Sequence, residues 1–141
     1  MSTSIIVTGA GGRMGSTICR MAQEDPALTL AAVVERPERL ASLDVWKCPA
    51  GSDADAVFAQ VPGGVVVDFT SPEASMANAR AAARAGVSHV IGTTGLTAEQ
   101  KAELAELART ARIFWAPNMS IGVNVLLKIL PQLVQQLGEQ Y

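Results

Sequence analysis

Short β-branched runs alternate with stretches of helical periodicity along nearly the whole chain, and that alternation leaves few folds open. Residues 4–8 (SIIVT) form a run closed by glycines, and Arg13–Glu24 then places Met14, Ile18, Met21 and Ala22 at helical spacing. Asp25 and Pro26 end that helix. Leu28–Val34 (LTLAAVV) is the next apolar run, and three more follow at 65–69, 87–91 and Ile113–Trp115, with helices expected over Pro72–Ala85 and 98–112. Strands that alternate with helices pair in parallel through right-handed crossovers. The expected class is therefore α/β, a doubly wound Rossmann-like, mostly parallel sheet with helices on both faces. Ligands of such sheets bind beyond the carboxyl ends of the strands.

The helix ends carry their own signals. Ser71 can cap a helix with Pro72 in its first position, Thr97 and Gln100 fit a capping box, and Gly86 suits the left-handed residue that closes a helix. The stretch 36–64 is the least regular, with three Pro and three Gly, and reads as an insertion with one short helix near 53–60. Further on, 123–137 sets Leu126, Leu127, Leu130, Leu133, Val134 and Leu137 on one stripe, which predicts a core helix that Pro131 interrupts or kinks.

Composition narrows the function classes. At 141 residues, 49% of them apolar and with a net charge of -2, the chain suits one packed domain and is too apolar for a disordered one. With 11 basic against 13 acidic residues it offers no broad cationic surface, so nucleic acid is not an expected partner. The two cysteines, Cys19 and Cys48, lack ligand spacing, and His89 is the single histidine, so neither a disulfide framework nor a metal site is expected. The opening MSTSIIVTGAGG has no basic segment before an apolar one, and no apolar run approaches the roughly 18 residues of a bilayer span. The expectation is a cytoplasmic protein without membrane contact.

The chemistry concentrates where strands end. Between the first strand and first helix, Gly9, Gly12 and Gly15 are spaced G-x-x-G-x-x-G. Glycines there let the backbone approach a pyrophosphate, whose charge meets the amides opening the helix. A tight turn that merely needs φ > 0 would also use glycine. The context favours a nucleotide, because Glu35 ends the second strand 20 residues beyond Gly15. Its carboxylate can accept from both hydroxyls of an adenosine ribose, though a solvated charge at a strand end would look the same. Arg36 follows, and a guanidinium can take a 2′-phosphate in bidentate fashion. Both NADH and NADPH are therefore expected cofactors. Phe69 and Thr70 follow the third strand, Gly92, Thr93 and Thr94 the fourth, and Ala116, Pro117, Asn118 and Met119 the fifth, where small polar residues and backbone suit a nicotinamide carboxamide. His89 falls mid-strand, roughly 10 Å behind the catalytic edge, and reads as a packed strand residue. Cys19 reads as a buried apolar residue and Cys48 as a loop residue. The charges at Glu99, Lys101, Glu103, Glu106 and Arg109 read as a solvated helix face.

The set GAGGRMG, VVER, DFTSP, GTTG and APNMSIGVN, in this order and spacing, resembles the nucleotide-binding N-terminal domain of the dihydrodipicolinate reductases, a family of lysine and diaminopimelate biosynthesis. The resemblance covers nearly the whole chain, and GTTG followed by NMSIGVN is its most diagnostic part. It implies that Gly9, Ala10, Gly11, Gly12, Arg13 and Met14 cradle the pyrophosphate. It also implies that Glu35 and Arg36 read the ribose and its phosphate, and that Gly92, Thr93 and Thr94 with Ala116, Pro117, Asn118 and Met119 hold the nicotinamide end. Members of the family continue into a substrate domain with a histidine-rich helix carrying a catalytic His and Lys, and they form homo-oligomers, tetramers among them. Those motifs do not occur in these 141 residues. The expectation is a cofactor domain over 1–122 and, over 123–141, the start of a helix leading to a substrate domain. No catalytic residue is expected in this chain, and a small dicarboxylate substrate belongs to the complete enzyme. Two other readings fit parts of the pattern. TGAGGRMG also resembles the opening of extended short-chain dehydrogenases and epimerases, although the only tyrosine, Tyr141, is terminal. A non-catalytic sensor of the NADH to NAD ratio would need only the binding domain.

Overall fold

The computed structural model describes residues 2–138. Its elements in chain order are β1 (Thr3–Thr8), α1 (Arg13–Glu24), β2 (Leu28–Val34), β3 (Ala50–Gly51), α2 (Ala54–Ala59), β4 (Val65–Asp68), α3 (Pro72–Ala85), β5 (Ser88–Ile91), α4 (Ala98–Leu107), β6 (Ile113–Trp115) and α5 (Ile121–Leu137). The strands form a six-stranded sheet in the order β3-β2-β1-β4-β5-β6, with every pairing parallel. From β1 the chain steps outward to β2 and β3, then crosses back to β4 on the other side of β1. The winding direction therefore reverses between β1 and β4, and a crevice opens there above the strand ends.

Alternation along the strands divides the core. Ile5 and Val7 of β1 and Val33 of β2 pack with Cys19 of α1 and Leu43 on one face. Ile6, Ala32, Val34 and Val66 point to the opposite face, against Val57 and Phe58 of α2 and Ala81 and Ala82 of α3. A third cluster joins Met76 and Ala79 of α3 to Ile91, Leu96 and Leu104 of α4. Both faces of the inner sheet are thus covered by helices, as the strand and helix alternation requires.

The structure departs from the sequence expectation at four places. The sheet has six strands, because the irregular stretch after β2 contributes β3, held where Val33 N–H donates to Pro49 O and Glu35 N–H to Gly51 O, at 2.9 and 3.1 Å. The same stretch winds through two 3₁₀ turns, Pro37–Ser42 and Asp44–Trp46. Helix α4 stops at Leu107, where Thr110 and Ala111 donate back to Leu107 O and turn the chain into β6. Finally, α5 runs unbroken through Pro131, and none of its residues is buried, so it is not a core helix. A proline withholds one amide and crowds the preceding turn, and an exposed helix can leave the affected carbonyl to water. Residues 139–141 of the expected terminal helix lie outside the described residues.

Candidate nucleotide site

Tight backbone packing shapes the glycine loop. Gly9 has φ +66°, and a Cβ there would stand 2.8 Å from Thr70 Cγ2. Gly12 N–H donates to Gly9 O at 2.9 Å, closing the turn. A Cβ on Gly15 would collide with the Gly9 carbonyl and approach Ala10 Cα to 2.9 Å, so α1 can lie against the loop only with glycine there. Helix α1 begins with no side-chain cap and no acidic residue in its first turn. No side chain occupies the amides at its positive end, which leaves them for an anion from outside.

Glu35 stands one residue beyond β2, with its side chain only 7% exposed. Its Oε2 accepts from Gly11 N–H at 2.9 Å and its Oε1 from Arg36 N–H at 3.0 Å. The carboxylate is therefore fixed against the glycine loop itself. Arg36 Nε lies 3.9 Å from Glu35 Oε1 and Arg36 Nη1 lies 3.5 Å from Glu38 Oε1. These groups meet in a crevice of about 530 Å³ that Gly9, Gly12, Glu35, Arg36, Phe69 and Thr70 line together. Six of the sequence-predicted residues thus share one cavity. Ala10 is buried, while Gly11, Arg13 and Met14 are exposed and do not line that crevice. The same crevice is also lined by Arg39, Ser52 and Asn78, which sequence reasoning missed. Ser52 follows the unread β3, and Arg39 and Asn78 arrive from the 3₁₀ turn and from α3.

The other predicted residues gather at the ends of β5 and β6, outside that crevice. Gly92 lies flat against the Phe69 ring, which any Cβ there would overlap. Thr93 differs from the expectation of a hydroxyl facing the ligand, being only 4% exposed. Its Oγ1 accepts from Thr70 N–H at 3.0 Å and lies 2.7 Å from Ser75 Oγ, and its carbonyl accepts from Trp115 Nε1 at 3.1 Å. Thr93 therefore ties the ends of β4, β5 and β6 together. Thr94 is exposed beside it, and Ala116, Pro117, Asn118 and Met119 lead into α5. Asn118 Oδ1 accepts from Ser120 N–H at 2.8 Å, and Asn118 O accepts from Asn124 Nδ2 at 3.1 Å, so Asn118 shapes the start of that helix.

Behind these loops sits a buried polar cluster. Asp68 Oδ1 accepts from Thr70 N–H at 3.0 Å, Thr70 Oγ1 at 2.6 Å and Ser75 Oγ at 2.9 Å. Its Oδ2 accepts from Asn78 Nδ2 at 2.8 Å and pairs with His89 Nε2 at 3.3 Å. Burial alone would raise the Asp68 pKa, but hydrogen bonds from His89, Thr70 and Asn78, with the attraction of the His89 ring, hold it at about 2. His89 is packed, as expected, and its Nδ1 has no partner among the described residues. No group of three or more metal-ligating side chains occurs among the described residues, and no helix there is long and apolar enough to cross a membrane.

A carboxylate beside an uncapped helix start, with guanidinium groups on the same crevice, can accept from vicinal hydroxyls and hold an anion at once. The chain is 96% identical over all 141 residues to a 4-hydroxy-tetrahydrodipicolinate reductase of Nitratidesulfovibrio vulgaris (strain Miyazaki F), covering 54% of that protein. It is 58% identical over 141 residues to the reductase of the same name from Oleidesulfovibrio alaskensis, again covering 54%. It thus spans about half the length of the curated relatives it matches. Among solved structures, the fold is similar to the dipicolinate-bound dihydrodipicolinate reductase from Paenisporosarcina sp. TG-14, with a TM-score of 0.77 and 24% identity over 92% of this chain and 52% of that one. It is also similar to a Synechocystis biliverdin reductase in complex with biliverdin and NADP+, with a TM-score of 0.66 and 19% identity over 80% of this chain and 37% of that one. Residues 3–119 match the family model described as dihydrodipicolinate reductase, N-terminus. The chain belongs to the dihydrodipicolinate reductase family, whose N-terminal part it matches.

Proposed function

We propose that the crevice between the glycine loop and the end of β4 binds the adenosine half of NADH or NADPH, and that the loops after β5 and β6 receive the nicotinamide half. Membership in a reductase family sets aside the short-chain dehydrogenase reading. The observation that carries the proposal is the Glu35 carboxylate, nearly buried and hydrogen-bonded to Gly11 N–H, which joins a ribose-accepting group to a phosphate-cradling loop in one rigid unit. Gly9, Gly12, Arg13 and Met14 would lie along the pyrophosphate, Arg36 beside the ribose, and Phe69, Thr70, Gly92, Thr94 and the 116–119 loop toward the nicotinamide. Thr93 and Asp68 would act from behind, holding those loops in place. Ala10 and Gly11 would contribute backbone only.

A bound reduced nicotinamide supplies a hydride, and this chain's residues position it, exclude water and leave the reaction to the cofactor. The acceptor in the complete enzyme would be a cyclic unsaturated dicarboxylate of lysine and diaminopimelate biosynthesis, working in the cytoplasm as a homo-oligomer. Residues 1–122 would be the cofactor domain, and 123–141 would lead toward the part that holds the substrate. On this reading the 141-residue chain binds cofactor without turnover.

Titration of the purified chain into NADH and into NADPH, read by nicotinamide fluorescence, tests the proposal. Saturable binding is expected, and Glu35→Ala should weaken NADH by about ten- to a hundredfold, the worth of a charge-assisted hydrogen bond or two, and NADPH by less, because a 2′-phosphate replaces one of the hydroxyls and is repelled by the carboxylate. A folded chain that leaves the fluorescence of both unchanged would overturn the reading.

A further inference from the structure

We propose that Trp115 is a positioning residue for hydride transfer: its indole N–H holds the Thr93 carbonyl and so fixes the loop after β5 against the loop after β6, where the nicotinamide half would lie. This rests on the dinucleotide reading above and names the group that sets the geometry of its nicotinamide end.

Trp115 joins both loops. Its backbone ends β6 and leads directly into the 116–119 loop, and Ala116 N–H donates to Ile91 O at 3.1 Å, so that loop starts paired to the end of β5. Its side chain reaches the other loop, where Nε1 donates to Thr93 O at 3.1 Å. The Thr93 side chain is held from the opposite direction in the chain, its Oγ1 accepting from Thr70 N–H at 3.0 Å. With its hydroxyl tied to the β4 loop and its carbonyl tied to Trp115, the peptide between Thr93 and Thr94 has a fixed orientation. A planar trans peptide points its N–H opposite to its carbonyl, and no cis peptide occurs among the described residues. Thr94 N–H therefore faces away from the indole, and it makes no hydrogen bond with another described residue. Holding one carbonyl thus aims a free donor on an exposed residue of the loop.

Packing alone does not hold the indole in that orientation. Trp115 packs against the cluster of Ile91, Leu96 and Leu104, but it also lines a cavity of about 300 Å³ with Lys101, Ala108 and Ile113. The second torsion of an aromatic side chain is broad, so a ring beside free space needs directional contacts to stay in place. It has two, Thr93 O at the indole edge and Lys101 Nζ 5.6 Å from the ring centroid. A misplacement of about 1 Å can cost about a hundredfold in rate, so a group that fixes both walls of the nicotinamide site acts on the transfer without touching the reacting atoms.

The test measures NADH by fluorescence and ADP-ribose by calorimetry, on the 141-residue chain and on Trp115→Phe and Trp115→His. ADP-ribose carries the adenosine half without the nicotinamide and reads the crevice alone. Indole and imidazole hang their five-membered rings from Cβ in the same way, so an imidazole Nε2 falls where the indole Nε1 stands. Trp115→His keeps the donor and loses bulk, whereas Trp115→Phe keeps more of the bulk and loses the donor. Trp115→Phe should weaken NADH by about two- to tenfold, the worth of one hydrogen bond, while ADP-ribose moves by less than about twofold. Trp115→His should bind NADH more tightly than Trp115→Phe does, although it packs less well. Unchanged NADH affinity in Trp115→Phe, an equal loss of ADP-ribose, or tighter NADH binding by Trp115→Phe than by Trp115→His would give Trp115 a packing role alone and overturn the inference, leaving the dinucleotide reading in place. If Trp115→His does not fold, Trp115→Phe decides by the first two of these outcomes. A wild-type chain that binds neither ligand would overturn the dinucleotide reading, and the inference with it.

Discussion

Asp68 shows how one buried residue organises the loops around it. It is fully buried at the end of β4, yet its carboxylate is ionised because its neighbours supply the donors that water would have given. Three of those neighbours, Thr70, Ser75 and Asn78, come from the loop and helix that follow, and His89 comes from the adjacent strand. Losing the charge would therefore unfasten the β4 loop from β5. Its pKa of about 2 in the folded chain lies below the ordinary carboxylate value. A group depressed by folding stabilises the fold fully above its unfolded pKa, near 4, and loses that contribution as the pH falls toward its folded pKa. Urea midpoints measured from pH 7 to 2 should fall between about pH 4 and 2, with Asp68 accounting for about 2 kcal/mol. Asn78→Ala removes one non-titrating donor, raises the folded pKa of Asp68, and should make that fall smaller and complete it at higher pH. Midpoints that run parallel in the two proteins across the whole range would show that Asp68 does not carry the acid response.

At the scale of elements, the ends are set by a few local bonds. Helix α4 starts with a reciprocal box in which Thr97 Oγ1 accepts from Gln100 N–H at 3.2 Å and Gln100 Oε1 accepts from Thr97 N–H at 2.9 Å. Both residues lie at the surface, so Thr97→Ala should cost the typical N-cap value of about 1 kcal/mol in urea unfolding, and Thr97→Ser almost nothing. The sequence reading found α1, β2, α3 and β6 with their observed bounds, because each combines a periodic apolar face with a strong stop such as Pro26 or Gly86. Strand β3 escaped it, since two residues have no period to read and are held only by bonds to β2. The far end of α4 escaped it for a related reason: Ala108 and Arg109 are good helix formers, and the turn back to Leu107 is imposed by the pairing of β6 with β5. The site divides in the same way. Its glycines, Glu35, Phe69 and Thr70 could be read from the sequence because the end of a strand fixes where the next residue stands. Arg39, Ser52 and Asn78 reach the crevice through a 3₁₀ turn, a two-residue strand and a helix face, and their places depend on packing that no local pattern encodes.

For the molecule as a whole, the uncovered apolar surface matters most. None of the residues of α5 is buried, and Leu126, Leu127, Leu130 and Leu133 stay 57%, 60%, 46% and 49% exposed. Phe114 on the edge strand β6 is 59% exposed as well. A contiguous apolar face of this kind marks an interaction surface, and the relatives' additional length supplies one natural place for it to go. In the isolated chain the available cover is a second copy. Covering a half-exposed leucine yields about 1 kcal/mol, so four from each copy give about 8 kcal/mol, which an association cost of about 4 to 15 kcal/mol nearly cancels. The outcome should be weak and reversible, with an apparent mass in sedimentation that climbs with protein concentration. Replacing Leu126, Leu130 and Leu133 together with Gln should hold the chain monomeric while leaving cofactor binding intact, because the crevice and α5 share no residue. Phe114→Lys separates the two surfaces: it should not change the concentration dependence if α5 carries the contact, and it should abolish it if copies join through the β6 edge. A wild-type chain that sediments as a monomer at every concentration would contradict this account.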